Sequence, residues 1–235
     1  SQYGGDKLIF GGAGNDSVDV SESGAGPVDS EIDTGSEDDS LRLSDYQGGN
    51  HVVAMGTGND IVRIANMAGG ARISLGDGRD LVELGEFFGY GGPLGSLVLT
   101  DFAAGNSGDR LEFVDLMTRV FANWNHQSSP IASGHLRVIQ SGAHSLVQFD
   151  ADGGGDGYFT IVTLENVSAA SLTAENLSGY PLDGSIPAKR IVTGTAGFDN
   201  LHGAAGGDEI SGLEGNDQLL GGGGNDLIHG GYGYD

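Results

Sequence analysis

The sequence predicts an all-β protein in which parallel β-roll or β-helix blocks flank a β-rich non-repeat domain. Three observations carry this. Glycine is concentrated toward both ends, aspartates recur at regular intervals after glycine-rich turns, and apolar residues follow each of these aspartates at alternate positions. Of 45 glycines, 21 fall in residues 1–96 and 14 in residues 191–235, against 10 in residues 97–190. The chain accordingly divides into a degenerate repeat block over 1–96, a non-repeat domain over 97–185 and a regular repeat block over 186–235.

In the first block the turns GGAGND, GSEDD, GTGND and GDGRD end at Asp16, Asp39, Asp60 and Asp80, at intervals of 23, 21 and 20 residues. Each Asp is followed two and four positions on by apolar pairs: Val18 and Val20, Leu41 and Leu43, Val62 and Ile64, Val82 and Leu84. Period two is the periodicity of a strand, so these residues face a core while Asp19, Arg42, Arg63 and Glu83 face water. Asp6 with Leu8 and Phe10 repeats the pattern, although a turn at the edge lacks a stacking partner. A second short strand, as in HVVAM or RISL, precedes each Asp turn, giving coils of about 20 residues. The other turn of each coil (SESGAGP, SDYQGGN, ANMAGGA) carries little acid, so this block is expected to be acidic on one side only.

Residues 97–185 alternate like antiparallel strands in SLVLTDF, DRLEFVDL, GHLRVIQ, HSLVQFD and YFTIVTLENV, and MTRVFANW suits one short helix. Asp109 in GNSGDRLEF has the same Asp-x-apolar spacing and extends the first ladder past Asp80. DADGGGDG places Asp150, Asp152 and Asp156 at alternate positions of a glycine-rich loop, which reads as an ion site or as a tight solvated hairpin.

The last block is the most regular. Asp199, Asp208, Asp217, Asp226 and Asp235 are spaced by nine and close the units GTAGFD, GAAGGD, GLEGND, GGGGND and GGYGYD. Two nine-residue units make one 18-residue coil, so Asp199, Asp217 and Asp235 stack on one side, with Asp208 and Asp226 on the other.

Stacking places successive carboxylates roughly 4.8 Å apart, and an unneutralised column would repel itself. The chain as a whole carries 33 acidic against 10 basic side chains, a net charge of -23, and no cysteine. Disulfides and thiolate sites are excluded, and so acidic a surface disfavours nucleic acid and anionic membranes. No apolar stretch suggests membrane insertion. A hard divalent cation taking six to eight oxygens from carboxylates and turn carbonyls answers the repulsion; calcium fits, whereas magnesium demands a tighter octahedron and retained waters. Glycines at Gly12, Gly14, Gly56, Gly58, Gly76, Gly78, Gly203, Gly212, Gly221 and Gly223 let the turns direct carbonyls inward, in conformations costly for other residues.

Both blocks resemble the repeats-in-toxin (RTX) hemolysin-type calcium-binding β-roll of bacterial type I secreted proteins. The resemblance implies a right-handed roll holding several calcium ions between stacked turns, with ligands at Asp16, Asp39, Asp60, Asp80, Asp199, Asp208, Asp217, Asp226 and Asp235. Arg79, Phe198, Thr195 and Ala204 depart from the repeat, and the Asp39 turn substitutes Glu37 for a glycine. The segments TDFAAGNSGDRLEF, GHLRVIQSGAHSLVQFDADGGGDG and FTIVTLENVSAASLTAENL resemble the conserved non-repeat domain near the C-terminal end of such proteins. The resemblance further implies export by the type I secretion machinery and a secreted or cell-surface location.

None of the six histidines falls in a catalytic spacing, and the glycine runs lack the lysine of a phosphate loop. The chain therefore reads as a non-catalytic module that folds on binding calcium outside the cell. It begins within a repeat and stops at a turn Asp, as a piece of a longer protein whose enzyme, if any, lies elsewhere. The alternative is an adhesin or surface-layer segment using calcium to hold glycans or neighbouring subunits, for which Phe87, Phe88, Tyr90, Trp124, Tyr232 and Tyr234 are the exposed-aromatic candidates.

Overall fold

The computed structural model describes residues 6–22, 26–85, 96–113, 116–117, 120–121, 124, 128–185 and 188–235. The first block is a parallel β-solenoid. Strands β1 (Lys7–Ala13), β3 (Ser30–Ser36), β5 (Asn50–Ala54), β7 (Gly70–Ser74) and β9 (Leu97–Leu99) stack in one sheet. A second sheet is formed by β2 (Ser17–Glu22), β4 (Ser40–Asp45), β6 (Ile61–Met67), β8 (Leu81–Leu84) and β10 (Arg110–Glu112). The chain crosses between sheets once per half-coil, so like residues meet like. Ile9, Ile32, Val53, Ile73 and Leu99 form one inward row. Val18, Leu41, Val62, Val82 and Leu111 form the facing one.

Leu41, Val62, Ile64, Ile73 and Val82 are wholly buried. Ile64→Ala is expected to lower stability by about 2–5 kcal/mol, the cost of a core cavity. Val52→Ala, at a position 55% exposed, should stay within about 0.5 kcal/mol. Urea unfolding at saturating calcium reads both.

Several sequence-derived expectations change. The ladders run past residue 96, since β9 and β10 pair parallel with β7 and β8. The middle strands are therefore not uniformly antiparallel. Strand β13 (Phe159–Leu164) joins the edge of β9 in parallel, and only β12 (His144–Phe149) and β11 (Leu136–Ser141) continue antiparallel from it. This hairpin sheet closes one end of the solenoid over a cluster of Phe113, Phe121, Trp124, Phe149 and Tyr180. The expected helix over 117–124 lies partly outside the described residues; the Phe121 N–H donates to the Met117 carbonyl at 2.9 Å, one helical turn.

Leu8 and Phe10 point outward, 62% and 68% exposed, and Ile9 points in. The reason is register: β1 belongs to the sheet that leads into an Asp turn, paired with β3, so Asp6 does not occupy a turn-Asp position. The opposite turns are not free of acid either. Asp45 is buried there, accepting N–H bonds from Gln47, Gly48 and Gly69, with Nε2 of the buried His51 3.7 Å away.

The second block forms its own sheets: β14 (Ile191–Thr193), β16 (Glu209–Glu214) and β18 (Leu227–Tyr232) in one, and β15 (Asn200–Ala204) with β17 (Gln218–Gly222) in the other. Ile191, Glu209 and Leu227 align, as an 18-residue coil requires. The two blocks are not one continuous ladder. Gly179 and Tyr180 of the middle domain pack on Ala204, Ala205 and Gly223 instead.

Candidate metal centres

The Asp turns are linked coil to coil by one repeated hydrogen bond. The backbone N–H of each Asp donates to Oδ1 of the Asp one coil on: Asp16 to Asp39 at 2.7 Å, Asp39 to Asp60 at 2.8 Å, Asp60 to Asp80 at 2.8 Å and Asp80 to Asp109 at 3.0 Å. The second block repeats it from Asp199 to Asp217, Asp217 to Asp235 and Asp208 to Asp226, at 3.0, 3.0 and 2.8 Å. Asp235, at the edge of its column, is thus seated like the others.

One oxygen of each carboxylate beyond the first in its column is used in this way. The other is the informative one. Oδ2 of Asp16, Asp39, Asp60, Asp80 and Asp217 is buried and accepts no hydrogen bond from the described residues. Burying an unpartnered carboxylate oxygen is costly unless a proton or cation compensates it. The site's charge state reflects this. Burial, followed by the neighbouring carboxylates, pushes Asp60 up to about 6 and Asp80 up to about 7. Burial likewise raises Asp109 and Asp226.

At Asp16 and along the second block, glycine makes room for the second carboxylate oxygen. A Cβ on Gly11, Gly194 or Gly203 would stand 2.7, 2.7 or 2.8 Å from Oδ2 of Asp16, Asp199 or Asp208, and Gly212 and Gly221 bear the same relation to Asp217 and Asp226. Each is five residues before its Asp, a constant offset through which Gly11, Gly194 and Gly230 could also have been found. Gly12, Gly14, Gly56, Gly58, Gly76 and Gly78 do different work: all have positive φ, and Gly35, Gly56 and Gly76 each rest on the carbonyl of the preceding coil's glycine. Gly223 leaves room for the Tyr180 hydroxyl. In the second block Gly215, Gly222, Gly224, Gly231 and Gly233, together with Leu213, hold the left-handed positions.

Departures from the repeat have distinct outcomes. Glu37 occupies a left-handed position at φ 75°, and its Oε2 accepts the Gly14 N–H at 2.8 Å. Asp109, Asp199 and Asp208 have Oδ2 satisfied by the N–H of Ala103, Thr195 and Ala204. Asp150, Asp152 and Asp156 do converge, with one ligand atom from each within 4.8 Å of the others. Oδ2 of buried Asp150 accepts the N–H groups of Gly155, Asp156 and Gly157, however, as a self-contained hairpin does. Trp124 is core, Tyr232 and Tyr234 are 83% and 90% exposed, and Phe87, Phe88 and Tyr90 lie outside the described residues.

A parallel solenoid with rows of half-satisfied buried carboxylates at its turns is a β-roll suited to hard cations. Residues 3–22, 193–228 and 202–235 match the RTX calcium-binding nonapeptide repeat family, so the chain carries RTX repeats in both blocks. Among curated proteins, none matches. A similar solved structure is the AlgE6R3 subunit of the Azotobacter vinelandii mannuronan C5-epimerase, 20% identical with a TM-score of 0.38, covering 69% of this chain and 78% of that one. No helix among the described residues is long and apolar enough to cross a membrane.

Proposed function

We propose that this chain is a non-catalytic, calcium-dependent folding module of a protein exported by the type I secretion machinery, stabilising its parent outside the cell or on its surface. The observation that carries the reading is the row of buried Oδ2 atoms at Asp16, Asp39, Asp60, Asp80 and Asp217, which need positive charge. Calcium supplies that charge and draws adjacent turns together. The chain's own residues do the rest. Asp N–H groups hold successive carboxylates in line, and the glycines five residues before Asp16, Asp199, Asp208, Asp217 and Asp226 leave room for the second oxygen there. Where calcium is scarce the columns repel and the chain stays open for export. At the ~0.1–1 mM dissociation constants of extracellular modules, several sites fill together. Each adds roughly 1.4 kcal/mol at tenfold excess over its dissociation constant.

The test is far-UV circular dichroism of chelator-treated protein titrated with calcium and separately with magnesium. A cooperative gain of β-signal with calcium alone is expected. Full β-structure in chelator, or an equal response to magnesium, would sink the reading.

A further inference from the structure

In the second block, the turn column that contains Asp208 and Asp226 starts with a cation. Arg190 lies 18 residues before Asp208, one coil length, and immediately precedes β14 as Asp208 precedes β16 and Asp226 precedes β18. Its backbone makes both bonds that define a column position. The Arg190 N–H donates to Oδ1 of Asp208 at 2.7 Å, as the Asp208 N–H does to Asp226 at 2.8 Å. The Arg190 carbonyl accepts the Glu209 N–H at 2.9 Å, as the Asp208 carbonyl accepts that of Leu227 at 2.7 Å. By backbone, Arg190 is a turn Asp; by side chain, it has the opposite charge.

The step from Asp208 to Asp226 therefore presents two carboxylates, and the step from Arg190 to Asp208 presents one. The second oxygen of Asp208 already accepts the Ala204 N–H at 2.6 Å. The surroundings repeat the theme. Arg110 lies within electrostatic range of both Arg190 and Arg79, so three of the chain's ten basic side chains gather at this edge of a molecule with net charge -23. Arg79 stands in the first block where Asn59 and Asp38 stand one and two coils earlier, its N–H on Asn59 Oδ1 at 3.1 Å and its guanidinium 3.3 Å from Glu175.

We propose that Arg190 is a resident cation that closes the Asp208–Asp226 column, so that calcium enters this column only beyond Asp208. The physical reason is Coulombic: a carboxylate at position 190 would repel Asp208 across one strand spacing, whereas an arginine there brings the opposite charge to the same backbone position. The first coil of the block is thereby tied down at a lower calcium load than its neighbours. Arg190 is a positioning residue, and its role rests on the calcium reading of the columns given above.

The test counts calcium bound per folded chain, by equilibrium dialysis of the full chain at saturation, and follows the calcium midpoint of folding by circular dichroism. Arg190→Asp should bind one calcium ion more than the unaltered chain. Arg190→Gln should keep the count and raise the midpoint roughly twofold, the effect of losing one partly exposed charge interaction. Asp226→Asn, as control, should lose one ion. Should Asp226→Asn lose an ion while Arg190→Asp gains none, the role of Arg190 is overturned and the calcium reading stands. An unshifted midpoint in Arg190→Gln overturns it as well, even if Arg190→Asp fails to fold. An unchanged count in Asp226→Asn overturns the calcium reading of this column, and the proposal with it.

Discussion

Gly56→Ala should destabilise the calcium-saturated protein by about 3–5 kcal/mol, among the largest effects a single methyl group can have. Two costs combine. Gly56 has φ +101°, a conformation that disfavours an L side chain by about 1–2 kcal/mol. Its Cβ would also fall inside the carbonyl oxygen of Gly35 in the adjacent coil, so the two turns must separate. Separation breaks the stacking that aligns Asp39 with Asp60, and the expected readout is both a lower melting temperature and weaker calcium binding. Gly12→Ala is the internal comparison. Its φ of +107° is nearly the same, but a Cβ there meets nothing within 4 Å, so only the conformational cost of about 1–2 kcal/mol should remain. Equal losses in the two variants would show that coil-to-coil contact at the glycine column contributes little.

Protons should partly replace calcium. In the folded protein Asp60 and Asp80 titrate near 6 and 7, above the ordinary 3.8 of an aspartate, chiefly because they are buried. A carboxyl whose folded value is raised opposes folding fully above that value. The opposition is relieved as pH falls through 7 and then 6, and is gone below the unfolded value. Calcium-free protein should therefore gain β-structure on acidification from about pH 7.5 to about pH 5, in calcium-stripped buffer. The calcium-loaded protein should respond in the other sense, because protons compete for the same oxygens and raise the calcium needed for half-folding. Circular dichroism across pH with and without calcium checks both. Calcium-free protein that lost structure over this range would contradict the assignment of the buried column as its main pH-sensitive element.

Much of this was legible in the residues because a solenoid is built from neighbours in sequence. The interval from Asp199 to Asp217 sets the coil length, and Ile191, Glu209 and Leu227 then fall into register. Alternation after each Asp likewise identified Leu41, Val62 and Val82 as an inward row, since period two depends only on the local strand. The positions where the reading changed are those decided by pairing. Leu8 and Phe10 copy the local pattern of Leu41 and Leu43, yet they point outward because β1 pairs with β3 in the other sheet. Strand β13 lies beside β9, 60 residues away in sequence, and no local signal distinguishes a parallel from an antiparallel edge for so short a segment.

The sequence by itself determined that the protein is a glycine-turned β-roll with acidic columns at its turns, because composition and period are properties of the chain alone. Only the tertiary structure decided which oxygen of each carboxylate is left without a donor, where the first ladder stops and that Arg190 stands in an aspartate's place. Those depend on which coil lies against which, and hydrogen bonds between coils are set by distances in space that residue spacing does not contain.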